Sequence, residues 1–303
     1  MDRLRFLFHG KEQGLILTSR RGALLVALAA ILFGLLGVLV KWTSESIPSP
    51  MIVFFRNAVG LVALVPFLQG KGSLRTKRFG AHFTRALAGI GAMYLSFYAI
   101  GHMRLADAYV LAYTAPLFMP FLARWWLGEP IPRHAGVALG LGFAGILLLL
   151  KPGLGIFQPV ALFALAAGLL AAIAQVGIRH LTTTEPPTRI VFYFGLVATG
   201  LTAPPLAGAW TPPSVGLWVA LGALGIVATV AQLLMTEGYR LSSPGDVGAL
   251  MYIAVATAGV ADWIFWRRLP DIISLVGIGL IMAAGVWILR APSRPVPPLV
   301  PVP

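Results

Sequence analysis

The feature that most constrains this chain is a series of apolar runs, each close to the length that crosses a bilayer as a helix. Turn residues or charges separate consecutive runs. Because backbone polar groups must bond internally in lipid, each run is predicted to form a helix. We predict ten membrane-spanning helices over approximately residues 22–42, 50–69, 81–102, 105–127, 134–150, 157–179, 188–208, 214–238, 244–266 and 271–290.

The composition agrees with a polytopic, all-α membrane protein. Of 303 residues, 58% are hydrophobic and only 11% are charged, too few to give a water-soluble protein of this size a polar surface. The chain contains no cysteine, which excludes disulfides, thiolate metal sites and a cysteine nucleophile. We therefore expect the lipid bilayer as a partner, with no nucleic acid and no cofactor.

The distribution of basic residues predicts the topology. Seventeen of the 23 Lys and Arg residues fall on the side of the N-terminus, five fall on the opposite side, and Arg56 lies inside the second run. The positive-inside rule then places both termini in the cytoplasm, as in a multi-pass protein of a bacterial inner membrane. We predict a basic cytoplasmic segment over 1–21, ahead of a retained first helix, and a disordered Pro-rich cytoplasmic tail over 291–303.

An internal repeat is visible in the sequence. The segment 105–151 resembles the segment 244–290, with Gly136 matching Gly277. Five spans in each half give the two halves opposite orientations, which is typical of transporters built from inverted repeats. A chance similarity between two apolar segments is the alternative.

Short motifs in the chain are similar to those of a known family. The chain resembles the EamA-like branch of the drug/metabolite transporter superfamily in Pro50-Met-Ile-Val-Phe-Phe-Arg-Asn57, Phe97-Tyr-Ala99, Leu105-Ala-Asp-Ala108, Tyr113-Thr-Ala-Pro-Leu-Phe118, Leu127-Gly-Glu129 and Gly142-Phe-Ala-Gly145. The resemblance implies ten helices in two inverted five-helix repeats, 22–151 and 155–290, that move a small organic solute by alternating access.

The second half departs from this pattern. Leu269-Pro270-Asp271 stands where a second Leu-Gly-Glu is expected, and Thr257 takes the place of Pro116. A binding site that depends on symmetric residues is therefore not expected, and the first half should carry more of the specificity.

Two stripes of residues are candidates for solute binding. Tyr109, Tyr113, Pro116 and Pro120 share one face of the fourth span, and each proline removes a backbone donor that a water-filled cavity would compensate. Tyr94, Phe97 and Tyr98 form a stripe on the third span, and the two stripes together could wall a flat or amphipathic solute. A packed kink and ordinary aromatic packing are the alternatives.

Polar residues within the spans add further candidates. Asn57, Gln175, Gln232 and Tyr252 offer neutral hydrogen-bonding groups for a solute or for neighbouring helices. Intramembrane charges usually face a cavity or a partner. We expect Arg56 to pair with Asp107 or Asp262, as a structural ion pair or as a gate, and we consider Glu237 and Asp262 for proton coupling.

The fifth and tenth spans have almost no polar side chains. Glycines at 136, 140, 142 and 145 favour close helix packing, so these spans are predicted to be a scaffold or a homodimer face, and the chain a monomer or a homodimer.

The sequence thus predicts a secondary transporter for a small organic metabolite, of the riboflavin or S-adenosylmethionine type according to the resemblance. Export of amino acids or drugs is the alternative within the family, and a non-transporting scaffold or receptor is the alternative of another class. An enzyme is not expected, because no HExxH or GxSxG motif is present.

Overall fold

The computed structural model describes the backbone of residues 2–68, 74–102, 111–131, 133–150, 159–266 and 271–290. Side chains are described for the same residues except 2–19, 100, 101, 133, 134, 149, 150, 262, 266, 288 and 289. The predicted tail 291–303 and the site candidates Asp107 and Tyr109 lie outside the described residues, as does the side chain of Asp262.

Within these residues the chain is helical and contains no strand, as the all-α prediction requires. The ninth helix is composite: a short α-helix (Pro244–Val247) and a 3-10 segment (Gly248–Tyr252) lead into an α-helix (Ile253–Trp266), and we label the whole α9. The other helices are α1 (Asp2–Ser44), α2 (Ser49–Leu68), α3 (Phe79–His102), α4 (Ala115–Leu127), α5 (Arg133–Leu150), α6 (Val160–Leu181), α7 (Pro187–Gly208), α8 (Val215–Leu241) and α10 (Ile272–Arg290).

Six of the described helical segments are long and apolar enough to cross a membrane, and α5 and α10 contain shorter apolar stretches. The described helices follow the ten predicted runs. The first helix is longer than predicted, because it continues through the basic N-terminal segment as far as Asp2. We call the end of the bundle where α2 ends and α3 begins the basic end, and the opposite end the far end.

Helices of the first half pair with helices of the second half. The most extensive contacts join α1 to α8, α5 to α10 and α3 to α6, followed by α2 to α7. If α1–α5 correspond to α6–α10, the α1–α8 pair is equivalent to the α6–α3 pair, and the α5–α10 and α2–α7 pairs lie on the symmetry axis. This pattern is that of two inverted five-helix repeats whose helices interleave.

Glycines allow these helices to approach closely, as small residues do in membrane bundles. A Cβ atom added to Gly34 of α1 would lie 2.7 Å from Cβ of Thr257 on α9. A Cβ atom added to Gly60 of α2 would lie 2.5 Å from Oγ1 of Thr229 on α8. No side chain larger than hydrogen fits at either crossing.

A turn at Tyr113 and Thr114 interrupts the fourth span. The Thr114 N–H donates to the Leu111 carbonyl oxygen at 3.2 Å, and α4 then begins at Ala115. Pro116 is in the first turn of this helix, where its missing N–H removes no helical hydrogen bond. Gly168 of α6 makes room for the turn, because a Cβ atom there would lie 2.6 Å from Thr114 Oγ1.

Candidate functional site

A cavity of about 250 Å³ lies between helices of both repeats. It spans the middle of the bundle, since its α6 residues straddle the midpoint of that helix. Its walls come from α1, α3, α6, α8, α9 and the interrupted start of α4, through Phe33, Leu36, Gly37, Val40, Ala92, Met93, Ser96, Phe97, Ala112, Tyr113, Ala115, Pro116, Ala167, Ala171, Gln175, Met235 and Met251.

The cavity is mostly apolar, with polar side chains only from Ser96, Tyr113 and Gln175 among the described residues. The Oε1 atom of Gln175 accepts a hydrogen bond from the hydroxyl of Tyr239, which lies one turn from Met235 on α8. This bond orients the amide, so its nitrogen can donate to a ligand in the cavity. An apolar space with a few oriented polar groups is typical of small-molecule sites.

The structure brings together four of the predicted site residues. Phe97, Tyr113, Pro116 and Gln175 all line the cavity, although they come from three separate helical segments. The break at Tyr113 and Thr114 faces this space, as the proline pattern predicts for the fourth span.

Three predicted aromatic residues lie elsewhere. Tyr94 packs in a cluster with Ile90 and Phe194, away from the lining of the cavity. Tyr98 is 44% exposed and stacks on His102, with ring centroids 4.0 Å apart. Tyr252 is fully buried beside Gly142 of α5. The three residues of the predicted stripe on α3 therefore lie in different environments, because only Phe97 lines the cavity.

Arg56, Asn57 and Gln232 line a second, smaller cavity of about 20 Å³ between α2, α7 and α8. Nη1 of Arg56 donates to Oδ1 of its neighbour Asn57 at 2.8 Å, and the Asn57 amide donates to the Val53 carbonyl oxygen at 2.8 Å. No described carboxylate forms an ion pair with Arg56. Its predicted pairing with Asp107 or Asp262 involves groups outside the described ones and stays a prediction.

Glu237 lies at the basic end, and not beside the cavity. It is 33% exposed and pairs with Arg240 at 2.5 Å. Its suggested role in proton coupling stays a prediction, as does that of Asp262.

The sequence reasoning missed several functional candidates. Met93, Met235 and Met251 line the cavity from three helices. Methionine side chains adapt to varied ligands, so their recurrence within spans is a signal that could have identified them. Arg85 was assigned by charge counting to the basic side, but it is only 4% exposed and lies against the Phe194 ring inside the bundle.

A buried ion pair joins the two repeats at the basic end. Nε of Arg179 on α6 donates to Oε1 of Glu129, just after α4, at 3.0 Å. Arg179 lies one turn beyond Gln175, the cavity residue, so the pair forms a layer between the cavity and the basic end. The same layer includes Ser243, whose hydroxyl donates to Oε2 of Glu129, and the Arg240 carbonyl oxygen, which accepts from Nη1 of Arg179 at 3.0 Å.

A second cluster at the basic end links the α2–α3 connection to the α6–α7 connection. Glu185 accepts hydrogen bonds from Thr76 and from Arg189, both at 2.5 Å, and it is only 5% exposed. The hydroxyl of Tyr193 donates to the Leu74 carbonyl oxygen at 3.0 Å. Both clusters therefore connect segments from opposite halves of the chain.

The α5 and α10 helices pack on each other within the chain. A Cβ atom added to Gly145 would lie 2.7 Å from the Gly277 carbonyl oxygen, whereas Gly136 and Gly140 have no neighbouring atom within 4 Å of such a Cβ. The described residues of these two helices do not line either cavity. A homodimer through them stays a prediction.

Comparisons with known proteins agree with this architecture. The model of the EamA-like transporter family matches residues 20–151 and 158–290. A solved crystal structure superposes with a TM-score of 0.77 at 21% identity, covering 89% of this chain and 98% of that one, which supports the fold.

Curated relatives are named transporters. The pseudopaline exporter CntI of Pseudomonas aeruginosa strain UCBPP-PA14 is 34% identical, with 89% of this chain and 96% of the relative covered. The riboflavin transporter of Brucella anthropi is 27% identical over 86% of this chain and 95% of its own. The S-adenosylmethionine uptake transporter of Rickettsia bellii is 24% identical over 85% and 89%.

These names favour transport over catalysis, and over the scaffold or receptor alternative. The matched ranges cover nearly the whole chain, including all the helices that line the cavity. The chain belongs to the EamA-like transporter family, and it is a multi-pass membrane transporter of small metabolites.

Proposed function

We propose that this protein carries an amphipathic organic metabolite across the inner membrane by alternating access, with both termini in the cytoplasm. The solute binds in the central cavity, where Phe97 and the methionines contact its apolar part and Tyr113 and Gln175 contact its polar atoms. The observation that carries this proposal is that the cavity is lined by helices of both repeats, so a relative movement of the repeats changes access to it.

The buried layer formed by Glu129, Arg179 and Ser243 is the gate on the basic, cytoplasmic side in this proposal. It lies one helical turn beyond Gln175 and joins the two repeats, so it must separate before a solute can pass through that end. In the same way, the cluster around Glu185 joins the α2–α3 connection to the α6–α7 connection at this end of the bundle. In this proposal, the described conformation is the state that is closed toward the cytoplasm.

The proposed direction is export. The relative at 34% identity is named an exporter, whereas the uptake transporter compared with this chain is 24% identical. The mostly apolar cavity favours a solute with a flat or apolar body, as expected for a heteroaromatic metabolite. Uptake of such a solute is the alternative that the experiment must separate from export.

The test is transport by the purified protein in liposomes, with a panel of labelled flavins, nucleosides and amino acids. We expect at least one solute to cross faster than in protein-free liposomes. Phe97→Ala should reduce that rate about tenfold or more, because this aromatic side chain lines the cavity and is proposed to contact the apolar part of the solute. Phe163→Ala is the matched control, because Phe163 is 44% exposed on the surface of the bundle.

The same assay also measures the direction of transport and its dependence on a pH gradient. Loading the solute on either side of oriented protein separates export from uptake. A rate that does not change with a pH gradient would remove Glu237 and Asp262 from consideration as proton carriers. The proposal fails if no solute in the panel moves faster than in protein-free liposomes, or if Phe97→Ala and Phe163→Ala behave alike.

A further inference from the structure

Two arginines inside the bundle lie against one aromatic ring. The guanidinium carbon of Arg85, from α3, is 3.8 Å from the centroid of the Phe194 ring on α7. The guanidinium carbon of Arg56, from α2, is 5.5 Å from the same centroid. Arg85 is 4% exposed and Arg56 is 8% exposed, so both positive charges are shielded from solvent.

Several donors around this ring have no acceptor among the described residues. The Nε and Nη1 atoms of Arg85 and the Nε2 atom of Gln232 are buried and make no hydrogen bond. Among the described residues, Arg56 donates to the neutral amide of Asn57. No described carboxylate forms an ion pair with either arginine.

A buried cation without an anionic partner is strongly unfavourable, and charges within membrane spans usually mark a ligand site. The face of Phe194 offsets only part of this cost. Two guanidinium groups and an amide N–H are all donors, so the complementary ligand is an anion with several acceptor oxygens. A carboxylate matches the planar fork of N–H donors of arginine.

Neighbouring residues connect Arg56 and Arg85 to the large cavity. The small cavity beside Arg56, Phe194 and Gln232 has about 20 Å³, which is room for a group the size of one or two waters. Gln232 lies three residues before Met235 on α8, and Met235 lines the large cavity. On α3, Met93 lines the large cavity while packing in the same cluster as Phe194.

A glycine on α3 keeps the arginine and the ring together. A Cβ atom at Gly89 would lie 3.0 Å from Cε2 of Phe194 and 3.8 Å from Nη1 of Arg85. The aliphatic part of Arg85 packs on Gly177 of α6, where an added Cβ atom would lie 3.5 Å from Cβ of Arg85. The guanidinium is thus held in place by close backbone packing.

We propose that Arg56 and Arg85, with Gln232, form a binding site for a carboxylate group of the transported solute. The apolar body of that solute then lies in the large cavity, and its carboxylate replaces the face of Phe194 as the nearest electron-rich partner of Arg85. This inference rests on the proposed function, and it narrows the substrate class to organic carboxylates with an apolar or aromatic body.

The test measures binding to the purified full-length protein in detergent micelles. The probes are benzoate and indole-3-acetate, each compared with its neutral amide, and the readout is isothermal titration calorimetry supported by the shift in thermal unfolding temperature. We expect each carboxylate to bind at least about tenfold more tightly than its amide. This factor is the expected effect of a charge-assisted hydrogen bond.

Arg85→Gln and Arg56→Gln should remove most of that difference and leave the affinity for the amides unchanged. Loss of folding is not expected, since neither arginine has an ion-pair partner among the described residues, and a neutral group in its place removes a desolvation cost. Arg85→Lys keeps the charge and should retain part of the preference for carboxylates. Arg124→Gln is the matched control, because Arg124 is exposed on α4.

The outcomes separate this inference from the proposed function. If Phe97→Ala weakens binding of the amides but the preference for carboxylates does not depend on Arg56 or Arg85, only the carboxylate site is wrong. If Arg85→Gln removes the preference while Phe97→Ala affects no probe, the carboxylate site stands and the central cavity is not the solute site.

Two further results would overturn the carboxylate site. One is that none of the carboxylates binds the unmodified protein better than its amide. The other is that chloride or inorganic phosphate displaces the carboxylates at equal concentration, which would reassign the arginines to a free inorganic anion. Retention of the carboxylates in an excess of both salts would support the proposal.

Discussion

At the scale of single residues, the described charges inside the bundle differ in their partners. Arg56 and Arg85 have no ion-pair partner among the described residues, whereas Arg179 and Glu129 form an ion pair. Arg179 and Glu129 satisfy each other, and Gly128 makes this pair possible. Gly128 ends α4 in the left-handed conformation, with φ of 69°, which glycine adopts without steric cost. The Leu-Gly-Glu motif therefore has a physical explanation, because its glycine ends the helix and its glutamate bridges to the second repeat.

We predict that Glu129→Gln lowers the free energy of unfolding by about 3–5 kcal/mol, because the change leaves Arg179 buried without an anionic partner. Thermal unfolding in detergent gives the measurement. Glu237→Gln is the matched control: its partner Arg240 has a side chain that is 45% exposed, so the loss should stay below about 1 kcal/mol. Equal losses for the two variants would contradict the assignment of the buried gate.

The residues that line the cavity could be predicted from the sequence only in part. The residue types and the helices were identified, because polar and aromatic residues within apolar spans require an explanation. Their facing could not be predicted, since Tyr94, Ser96, Phe97 and Tyr98 point in different directions around α3, and none of them alone identifies the side that meets the cavity. Phe97 and Tyr98 are about 100° apart on a helix, and only Phe97 lines the cavity. The pairing of Glu129 with Arg179 depends on helix rotations that no local pattern encodes.

At the scale of helices, the clearest feature is the close packing of α5 on α10. The sequence predicted two scaffold spans from their glycines and their lack of polar side chains, and the structure places these helices against each other and outside both cavities. The four glycines of α5 are nevertheless not equivalent. Gly142 and Gly145 meet neighbouring residues, whereas Gly136 and Gly140 have open space beside them.

This difference predicts that a glycine-to-alanine substitution affects stability differently at the two kinds of position on α5. Gly145→Ala should destabilise the protein by about 1–3 kcal/mol, because the new methyl group would lie 2.9 Å from Cγ1 of Ile281 and overpack the contact. Gly140→Ala should be neutral, or stabilising by up to about 1 kcal/mol through helix propensity. Thermal unfolding of both variants decides. A destabilising Gly140→Ala would instead indicate a contact with another protein chain, such as a dimer partner.

At the scale of the whole molecule, the sequence predicted the number and order of the helices well, since each apolar run is long enough to be recognised alone. The repeat was visible only faintly, because the two halves share a helix pattern more than they share residues. The interleaving of the halves could not be predicted, since it depends on which apolar surfaces meet. That interleaving determines where the gate is, because both clusters at the basic end join one half to the other.

A reversible cross-link between the halves tests this gate. A Cβ atom at Gly245 of α9 lies 3.9 Å from Cβ of Pro120 on α4, a separation that suits a disulfide. The chain has no cysteine, so Pro120→Cys with Gly245→Cys gives one defined pair. We predict that oxidation stops solute transport in liposomes and that reduction restores it.

The two single-cysteine variants are the controls, and the same oxidant should leave their transport unchanged. If the oxidised double variant is cross-linked by mass spectrometry and still transports at the reduced rate, then α4 and α9 do not separate during the cycle. The basic end would then not be the gate.

The pairing of α1 with α8, and of α5 with α10, also has a consequence for biosynthesis. While the ribosome is still making the second half, α1 and α5 are in the membrane without the helices that they pack against. The inward faces of the first half, including the polar face that carries Arg56, then have only lipid or the insertion machinery as neighbours. Insertion of this protein must therefore run well ahead of its folding, and the nascent first half is the stage at which membrane chaperones and quality-control proteases have the most exposed target.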